Sequence, residues 1–142
     1  MSDHSPSKRI LIVDDDPDFL EYTRIVLTSA GYLVDTATSA AEAMTLVHSS
    51  DPDLIIIDVM MSYSLEGIGL ARELKCDPEL VKIPLLVVTS IARNLDAIDF
   101  DEGTRRAIEG FFTKPVSPYE LLTTIGGYLA EGGTNENHVT RP

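Results

Sequence analysis

The sequence predicts an α/β fold in which helices cover both faces of a doubly wound, five-stranded parallel sheet. Five short apolar runs of strand length alternate along the chain with five segments of wholly or partly helical pattern. Several of these runs are continuous and rich in β-branched residues, which is typical of strands covered on both faces, as in parallel sheets. We therefore expect each strand to be joined to the next by a right-handed helical crossover.

Size and composition limit the kinds of protein that the chain can be. It has 142 residues, 44% of them hydrophobic, and this suits one domain, which we place at residues 8–130 between flexible tails at 1–7 and 131–142. The formal net charge of -12 offers no cationic surface to nucleic acid or to an anionic membrane. A single cysteine, no signal-peptide pattern and no apolar run of membrane-spanning length favour a cytoplasmic protein without direct nucleic-acid binding or membrane insertion.

The first predicted unit is a strand over residues 8–13 followed by a helix. Asp16 is a suitable N-cap and Pro17 a suitable first-turn residue, and apolar residues then recur at helical spacing until Gly31. A glycine after the last periodic residue predicts that the helix ends there. Residues 32–37 give the second strand.

The second helix is predicted from a capping box. Ser39 lies three residues before Glu42, and the helical spacing continues to Val47. Four unbroken apolar residues at 54–57 then form a third strand that leads directly into Asp58. A carboxylate at the rim of an apolar strand has a high desolvation cost unless a cation, a metal or hydrogen-bond donors meet it. Asp58 is therefore the first candidate functional residue.

The second half of the chain supplies two more strands. A helix from about Gly67 leads to a buried strand at residues 85–89, and a short strand at 110–113 precedes a last helix with a capping box at Ser117. Acidic residues dilute the apolar stripe of the segment 90–107 between these strands. We expect that segment to be only partly helical and largely solvated.

Polar side chains stand at the ends of four of the five strands. They are Asp14 and Asp15 after the first, Asp58 after the third, Thr89 at the end of the fourth and Lys114 after the fifth. The carboxyl ends of parallel strands share one edge of the sheet, where ligands bind in this class of fold. Three carboxylates close together repel one another unless a divalent cation is present, and hard oxygen ligands suit Mg²⁺. A lysine and a hydroxyl beside such a metal complete a site for a phosphoryl group.

Four motifs make the chain resemble the receiver domain of two-component response regulators, the phosphoacceptor module that takes a phosphoryl group from a histidine kinase. They are Ile-Leu-Ile-Val-Asp-Asp-Asp-Pro at the first strand, Asp-Leu-Ile-Ile-Ile-Asp-Val-Met-Met at the third, Val-Thr-Ser at the fourth and Thr-Lys-Pro at the fifth. The resemblance covers roughly residues 8–130. It implies a flavodoxin-like sheet with the strand order 2-1-3-4-5.

At the positions that match these motifs, the resemblance implies a role for each polar residue. Asp58 would be the phosphoacceptor, and Asp14, Asp15, Asp58 and the backbone carbonyl of Met60 would hold Mg²⁺. Lys114 would contact the phosphoryl oxygens. These roles agree with the chemistry, because a carboxylate that attacks phosphorus brings two anions together and needs charge neutralisation above all.

The resemblance also implies a conformational switch. The hydroxyl of Thr89 would donate a hydrogen bond to the bound phosphoryl group, and Phe111, at a position that is often tyrosine in the family, would follow Thr89 by packing. A cis Lys114–Pro115 peptide bond is implied as well. Met60 and Ile91 would flank the approach of the hydrolytic water, and their apolar side chains favour a long-lived phosphorylated form.

The chain departs from the family pattern in two loops. Ser62 stands where the family commonly has proline, Gly67 comes one residue late, and more residues than usual separate Thr89 from Phe111. Both departures concern the surface that we expect to face partners.

We therefore expect a receiver that is phosphorylated by a sensor histidine kinase or a phosphotransfer protein and signals through protein contacts, rather than a classical enzyme. The downstream partner is not specified by the sequence. Two alternatives remain open: a phosphorylation-insensitive scaffold with the same fold, and a small Mg²⁺-dependent phosphohydrolase with Asp58 as nucleophile. The intact set of five polar groups argues against the first, and the lack of a recognisable cap domain or second acid argues against the second.

Overall fold

The computed structural model describes residues 7–58, 66–89 and 101–129 of the chain, and in these ranges five strands alternate with five helices. The strands are β1 (Arg9–Val13), β2 (Leu33–Ala37), β3 (Leu54–Asp58), β4 (Leu85–Thr89) and β5 (Gly110–Thr113). The helices are α1 (Pro17–Ser29), α2 (Ala40–Ser50), α3 (Glu66–Cys76), α4 (Glu102–Ala107) and α5 (Pro118–Leu129). None of these helices is long and apolar enough to cross a membrane.

The sheet confirms the predicted fold class and strand order. All neighbouring strands are parallel, and the order is β2-β1-β3-β4-β5. The register aligns the carboxyl ends, since Val13 pairs with Ile57 and Asp58 pairs with Val88. The residues at and just after these strand ends therefore emerge at one edge of the sheet.

Two apolar cores, one on each face of the sheet, explain the continuous apolar runs. Alternate residues of a strand point to opposite faces, so that Leu11 belongs to one core and Ile12 to the other. Helices α2 and α3 cover the first core, and α1 and α5 cover the second. Complete burial of a leucine or isoleucine side chain contributes about 1.5–3 kcal/mol, so the inner strands β1, β3 and β4 carry charge only at their ends. Asp35, in the middle of the edge strand β2, is partly exposed and pairs with Arg9.

Helix α1 has the predicted boundaries. The Asp16 carboxylate accepts a hydrogen bond from the backbone N–H of Asp18 (3.0 Å), and the helix closes at Gly31, whose φ of 99° suits glycine. The N–H of Tyr32 donates to the carbonyl of Leu27 (3.1 Å), which is the long hydrogen bond of a Schellman motif. Tyr32 therefore belongs to the helix end, and β2 begins one residue later than predicted.

The capping box of α2 differs from the predicted reciprocal form. The Ser39 hydroxyl accepts from the N–H of Glu42 (3.1 Å) as expected. The Glu42 carboxylate, however, accepts from the N–H and the hydroxyl of Thr38 (2.8 and 3.1 Å), one residue before the cap.

The weakly helical segment and the predicted tails are described only in part. A short helix α4, capped by Asp101, occupies the end of the segment, and its residues Glu102 and Arg106 are exposed, in agreement with a solvated segment. Residues 90–100 lie outside the described ranges, as do the tails apart from Ser7, and Ser62 does as well.

An ion pair between a buried lysine and a partly buried glutamate, which the sequence did not reveal, stabilises the amino-terminal edge of the sheet. The side chain of Lys75 is 1% exposed, and its ammonium group donates to the carbonyls of Val81 and Ile83, both at 2.9 Å. It also pairs with the Glu109 carboxylate at 3.0 Å, which in turn accepts from the N–H of Leu85 (2.7 Å). The pair thus ties the end of α3 to the start of both β4 and β5.

Candidate functional site

Two of the predicted site aspartates are buried at the carboxyl edge of the sheet. Asp58 is the last residue of β3 and is 5% exposed. Asp14 directly follows β1 and is fully buried. Its N–H donates to the carbonyl of Ala37 (3.0 Å), which continues the pairing of β1 with β2 and fixes the backbone of Asp14. Both carboxylates are held by backbone that the apolar strands fix in place.

Asp15 completes a group of three carboxylates, as the sequence predicted. Each of Asp14, Asp15 and Asp58 offers an oxygen, and these oxygens lie within 4.8 Å of one another. Asp15 is only partly buried, so the group is open to solvent on one side. Three hard, anionic oxygen ligands at this spacing fit a divalent cation such as Mg²⁺.

Lys114, which directly follows the edge strand β5, brings a positive charge to the same group of carboxylates. Its Nζ lies 2.7 Å from Oδ2 of Asp14 and 3.2 Å from Oδ2 of Asp58. Its backbone N–H donates to the carbonyl of Thr89 (2.9 Å), which fixes where β5 ends relative to β4. The Lys114–Pro115 peptide bond is cis, as the family resemblance implied.

The electrostatics of the site reflect an excess of buried negative charge. Burial raises the pKa of Asp14 from 3.8 to about 6, although hydrogen bonds from Lys114 and from the N–H of Asp16 lower it, and the charge of Asp58 raises it further. Burial alone would lower the pKa of Lys114, but its hydrogen bond to Asp14 and the charges of both aspartates raise that pKa above its ordinary value. A divalent cation would relieve the repulsion that one lysine leaves uncompensated.

The predicted switch residues lie next to the site and on the same face of the sheet. Thr89 ends β4 and is fully buried. Phe111 pairs in register with Val87 and packs against the core that contains Val87, so it shares a face with Thr89, two residues further along β4. The guanidinium carbon of Arg105 in α4 lies 5.9 Å from the centre of the Phe111 ring. The ring therefore contacts α4 on the same face of the sheet as Thr89.

Phe19 belongs to the site, although its sequence pattern indicates only an apolar residue of the first helix. The Nζ of Lys114 lies over its ring, 4.3 Å from the ring centre. Beside this contact is a cavity of about 450 Å³, and it is lined by Asp16, Asp18, Phe19, Tyr22, Lys114, Pro115 and Val116. The position of Phe19, at the start of the helix that follows the acidic pair, was the available signal.

Two of the residues predicted for the site lie outside the described part of the chain. They are Met60, whose carbonyl was expected to bind the metal, and Ile91, which was expected to flank the approach of water. The structure brings Asp14, Asp15, Asp58, Thr89 and Lys114 to one edge of the sheet. Phe111 lies within β5, in register with Val87.

Comparison with known proteins agrees with this arrangement. Residues 10–126 match the sequence model of the response regulator receiver domain. The chain is 32% identical over 127 residues to the probable transcriptional regulator ycf27 of Guillardia theta, a match that covers 89% of this chain and 47% of that protein. It is 33% identical over 122 residues to protein PilH of Pseudomonas aeruginosa, which covers 86% of this chain and 98% of PilH.

A solved structure gives the same result for the fold. The response regulator protein TrrA of Thermotoga maritima, in complex with Mg²⁺-BeF, matches with a TM-score of 0.70 and 26% identity over 83% of this chain and 96% of that one. The chain thus spans about half the length of some curated relatives and nearly all of others. Because the family match extends over most of the chain and agrees with the strand order and the acidic group, the chain belongs to the response regulator receiver domain family.

Proposed function

We propose that this receiver domain accepts a phosphoryl group on Asp58 in a Mg²⁺-dependent reaction and then signals through contacts with other proteins. One observation carries the proposal: the ammonium group of Lys114 lies 2.7 Å from Asp14 and 3.2 Å from Asp58, two members of a group of three carboxylates. A cation in that position neutralises charge where an anionic phosphoryl group would approach an anionic nucleophile.

The residues present fit a magnesium ion. Asp14, Asp15 and Asp58 would hold it. The family resemblance adds the carbonyl of Met60, which lies outside the described residues. When bound, Mg²⁺ supplies neutralisation of the phosphoryl oxygens beyond what Lys114 provides. The likeness to TrrA, a receiver-family protein solved with Mg²⁺-BeF, supports this choice of ion, because beryllofluoride imitates a phosphoryl group.

The transfer step follows from the placement of Asp58. One of its carboxylate oxygens attacks the phosphorus of a phosphohistidine, so that an O–P bond forms as the P–N bond breaks and the bonding pair remains on the imidazole nitrogen. The product is an aspartyl phosphate. Throughout the step Lys114 holds its charge beside the oxygens that carry the transferred negative charge. A sensor histidine kinase or a phosphotransfer protein would supply the phosphohistidine, as membership of the receiver family implies.

The response would begin at Thr89. Its hydroxyl can donate a hydrogen bond to the new phosphoryl group, and the residues after β4 would then move towards the site. Phe111, on the same face of the sheet, would repack with them. The Arg105–Phe111 contact would change in turn, and the surface at α4 would present the phosphorylated state to a partner.

Intact-mass spectrometry tests the proposal. Acetyl phosphate with millimolar Mg²⁺ should add one phosphoryl mass to the wild type and none to Asp58→Asn, and chelation of Mg²⁺ should prevent the addition. The matched control is Asp51→Asn, which changes an exposed aspartate with φ 53° at the other end of β3, in a conformation that asparagine also tolerates. This control should be phosphorylated like the wild type.

The intact-mass measurement, together with a phosphate-release assay, separates the rival functions. A phosphorylation-insensitive scaffold would leave the wild-type mass unchanged. A phosphohydrolase would release phosphate steadily from a small phosphomonoester, in many turnovers for each protein molecule. Either result would contradict the proposal.

A further inference from the structure

The ring of Phe19 is a third contact of the Lys114 ammonium group, beside the two carboxylates. Two sides of that group face carboxylates, those of Asp14 at 2.7 Å and Asp58 at 3.2 Å. On another side lies the ring of Phe19, with its centre 4.3 Å from Nζ. Phe19 is partly buried at the start of α1 and packs against the core beneath α1 and α5, so the ring is held by the fold.

This contact has a chemical property that a carboxylate lacks. The face of an aromatic ring attracts a cation through its quadrupole. Unlike a carboxylate oxygen, the ring has no lone pair that accepts a strong hydrogen bond from the ammonium group. Lys114 can therefore remain against the ring while its N–H groups move from carboxylate oxygens to phosphoryl oxygens. A carboxylate in the place of the ring would compete with the phosphoryl group for the same hydrogens.

The contact also limits where the lysine can go. A lysine side chain has four flexible carbon–carbon links and is strongly hydrated at its end. The cavity of about 450 Å³ that Phe19 and Lys114 line offers the ammonium group a path away from the carboxylates and into water. The ring stands beside that path.

We propose that Phe19 is a positioning residue for phosphoryl transfer, because its ring face holds the ammonium group of Lys114 over Asp14 and Asp58. The inference rests on the proposed function of Asp58. A purely structural reading makes Phe19 an apolar residue that fills the core, as Phe112 does on β5 against the same core. The two readings differ in one property, the electron density of the ring.

Stepwise fluorination of the ring tests that property while shape and hydrophobicity change little. Phe19 is replaced by its mono-, di- and trifluorinated analogues, and the initial rate of phosphorylation by acetyl phosphate is measured at saturating Mg²⁺. A positioning role predicts a graded decrease, about threefold to tenfold in total at the trifluorinated ring, since that is the range of a partly buried cation–π contact. The same series at Phe112 is the matched control and should leave the rate unchanged.

Ordinary substitutions give a second comparison. Phe19→Trp keeps an aromatic face, and its phosphorylation rate should stay within about twofold of the wild-type rate. Phe19→Leu keeps only the apolar bulk, and its rate should be as low as that of the trifluorinated variant. Melting temperatures measured on the same samples show whether each variant is folded.

A readout that does not depend on phosphorylation follows the contact itself. In the NMR spectrum the ε-methylene protons of Lys114 should be shifted upfield by the ring current, in the wild type and in Asp58→Asn, and the shift should be lost in Phe19→Leu. Equal rates across the fluorinated series, or a Lys114 resonance without a ring shift, would overturn the inference. A ring shift in a wild type that acetyl phosphate does not modify would instead refute the proposed function, and the catalytic part of this inference with it.

Discussion

Replacing Asp14 by asparagine should make the metal-free protein more stable at neutral pH, although it removes a residue of the proposed site. Burial raises the pKa of Asp14 from 3.8 to about 6, chiefly because the fold removes its carboxylate from water. Asparagine has nearly the same size and shape and carries no charge to desolvate. It keeps one of the two acceptor oxygens that Asp14 offers to Lys114 and to the N–H of Asp16. The fold therefore no longer has to bury that charge.

The sign and the size of the effect follow from linkage. Between pH about 4 and about 6 the folded state binds more protons than the unfolded state, so the free energy of unfolding falls as pH rises through this window. The difference between about 6 and 3.8, at about 1.4 kcal/mol for each pH unit, gives an upper limit of about 3 kcal/mol. Solvent at the open side of the site and the one hydrogen-bond acceptor that asparagine lacks reduce this, and we expect a gain of about 1–2 kcal/mol.

Thermal unfolding in the presence of a chelator measures the effect. At pH 7.5 Asp14→Asn should melt about 3–8 °C above the wild type, and the gain should shrink as pH falls from about 6 to 4, where Asp14 is protonated in the wild type as well. Asp51→Asn should melt like the wild type at every pH. A variant that melts below the wild type at pH 7.5, or a gain that does not change with pH, would refute this reasoning.

Three further predictions concern the metal, the buried lysine and the lifetime of the phosphorylated form. Millimolar Mg²⁺ should raise the melting temperature of the wild type, because it binds only the folded carboxylate group, and Asp15→Asn should weaken that increase; an unchanged melting temperature would argue against the metal site. Lys75→Met should lower the free energy of unfolding by about 3 kcal/mol, since it removes the cation beside the partly buried Glu109 carboxylate and the donor to the carbonyls of Val81 and Ile83, while Lys82→Met at an exposed position should change it little in the same denaturant titration. Met60→Asn combined with Ile91→Glu should speed the decay of the phosphorylated form about tenfold by giving the attacking water polar partners, as loss of label after removal of the donor would show; an equal decay rate would exclude this role.

Much of the fold could be predicted because its determinants are local in sequence. The apolar runs of β1, β3 and β4 stand out because both faces of the sheet are covered, and the caps at Asp16 and Ser39 are short motifs. The start of β2 was predicted one residue early for a physical reason as well. Tyr32 suits a strand by composition, but its N–H is used by the hydrogen bond that closes α1.

The site was predictable at the strand ends and less so away from them. Topology alone brings Asp14, Asp58 and Lys114 to one edge, so five polar residues at strand ends were enough to anticipate the acidic group and its lysine. The contact of Phe19 with Lys114 was missed because helical spacing predicts only the side of the helix on which a residue lies. It does not predict a contact with a residue 95 positions further along the chain. The Lys75–Glu109 pair was missed for the same reason, since nothing near either residue marks the other.

Chemical mapping of the modified residue would show whether Asp58 carries the phosphoryl group. After reaction with acetyl phosphate and Mg²⁺, borohydride reduces an aspartyl phosphate to homoserine, and peptide sequencing by mass spectrometry then locates the changed residue. We expect homoserine at position 58 in the wild type and no homoserine anywhere in Asp58→Asn. Homoserine at Asp14 or Asp15, or modification of the Asp58→Asn variant at the wild-type rate, would contradict it.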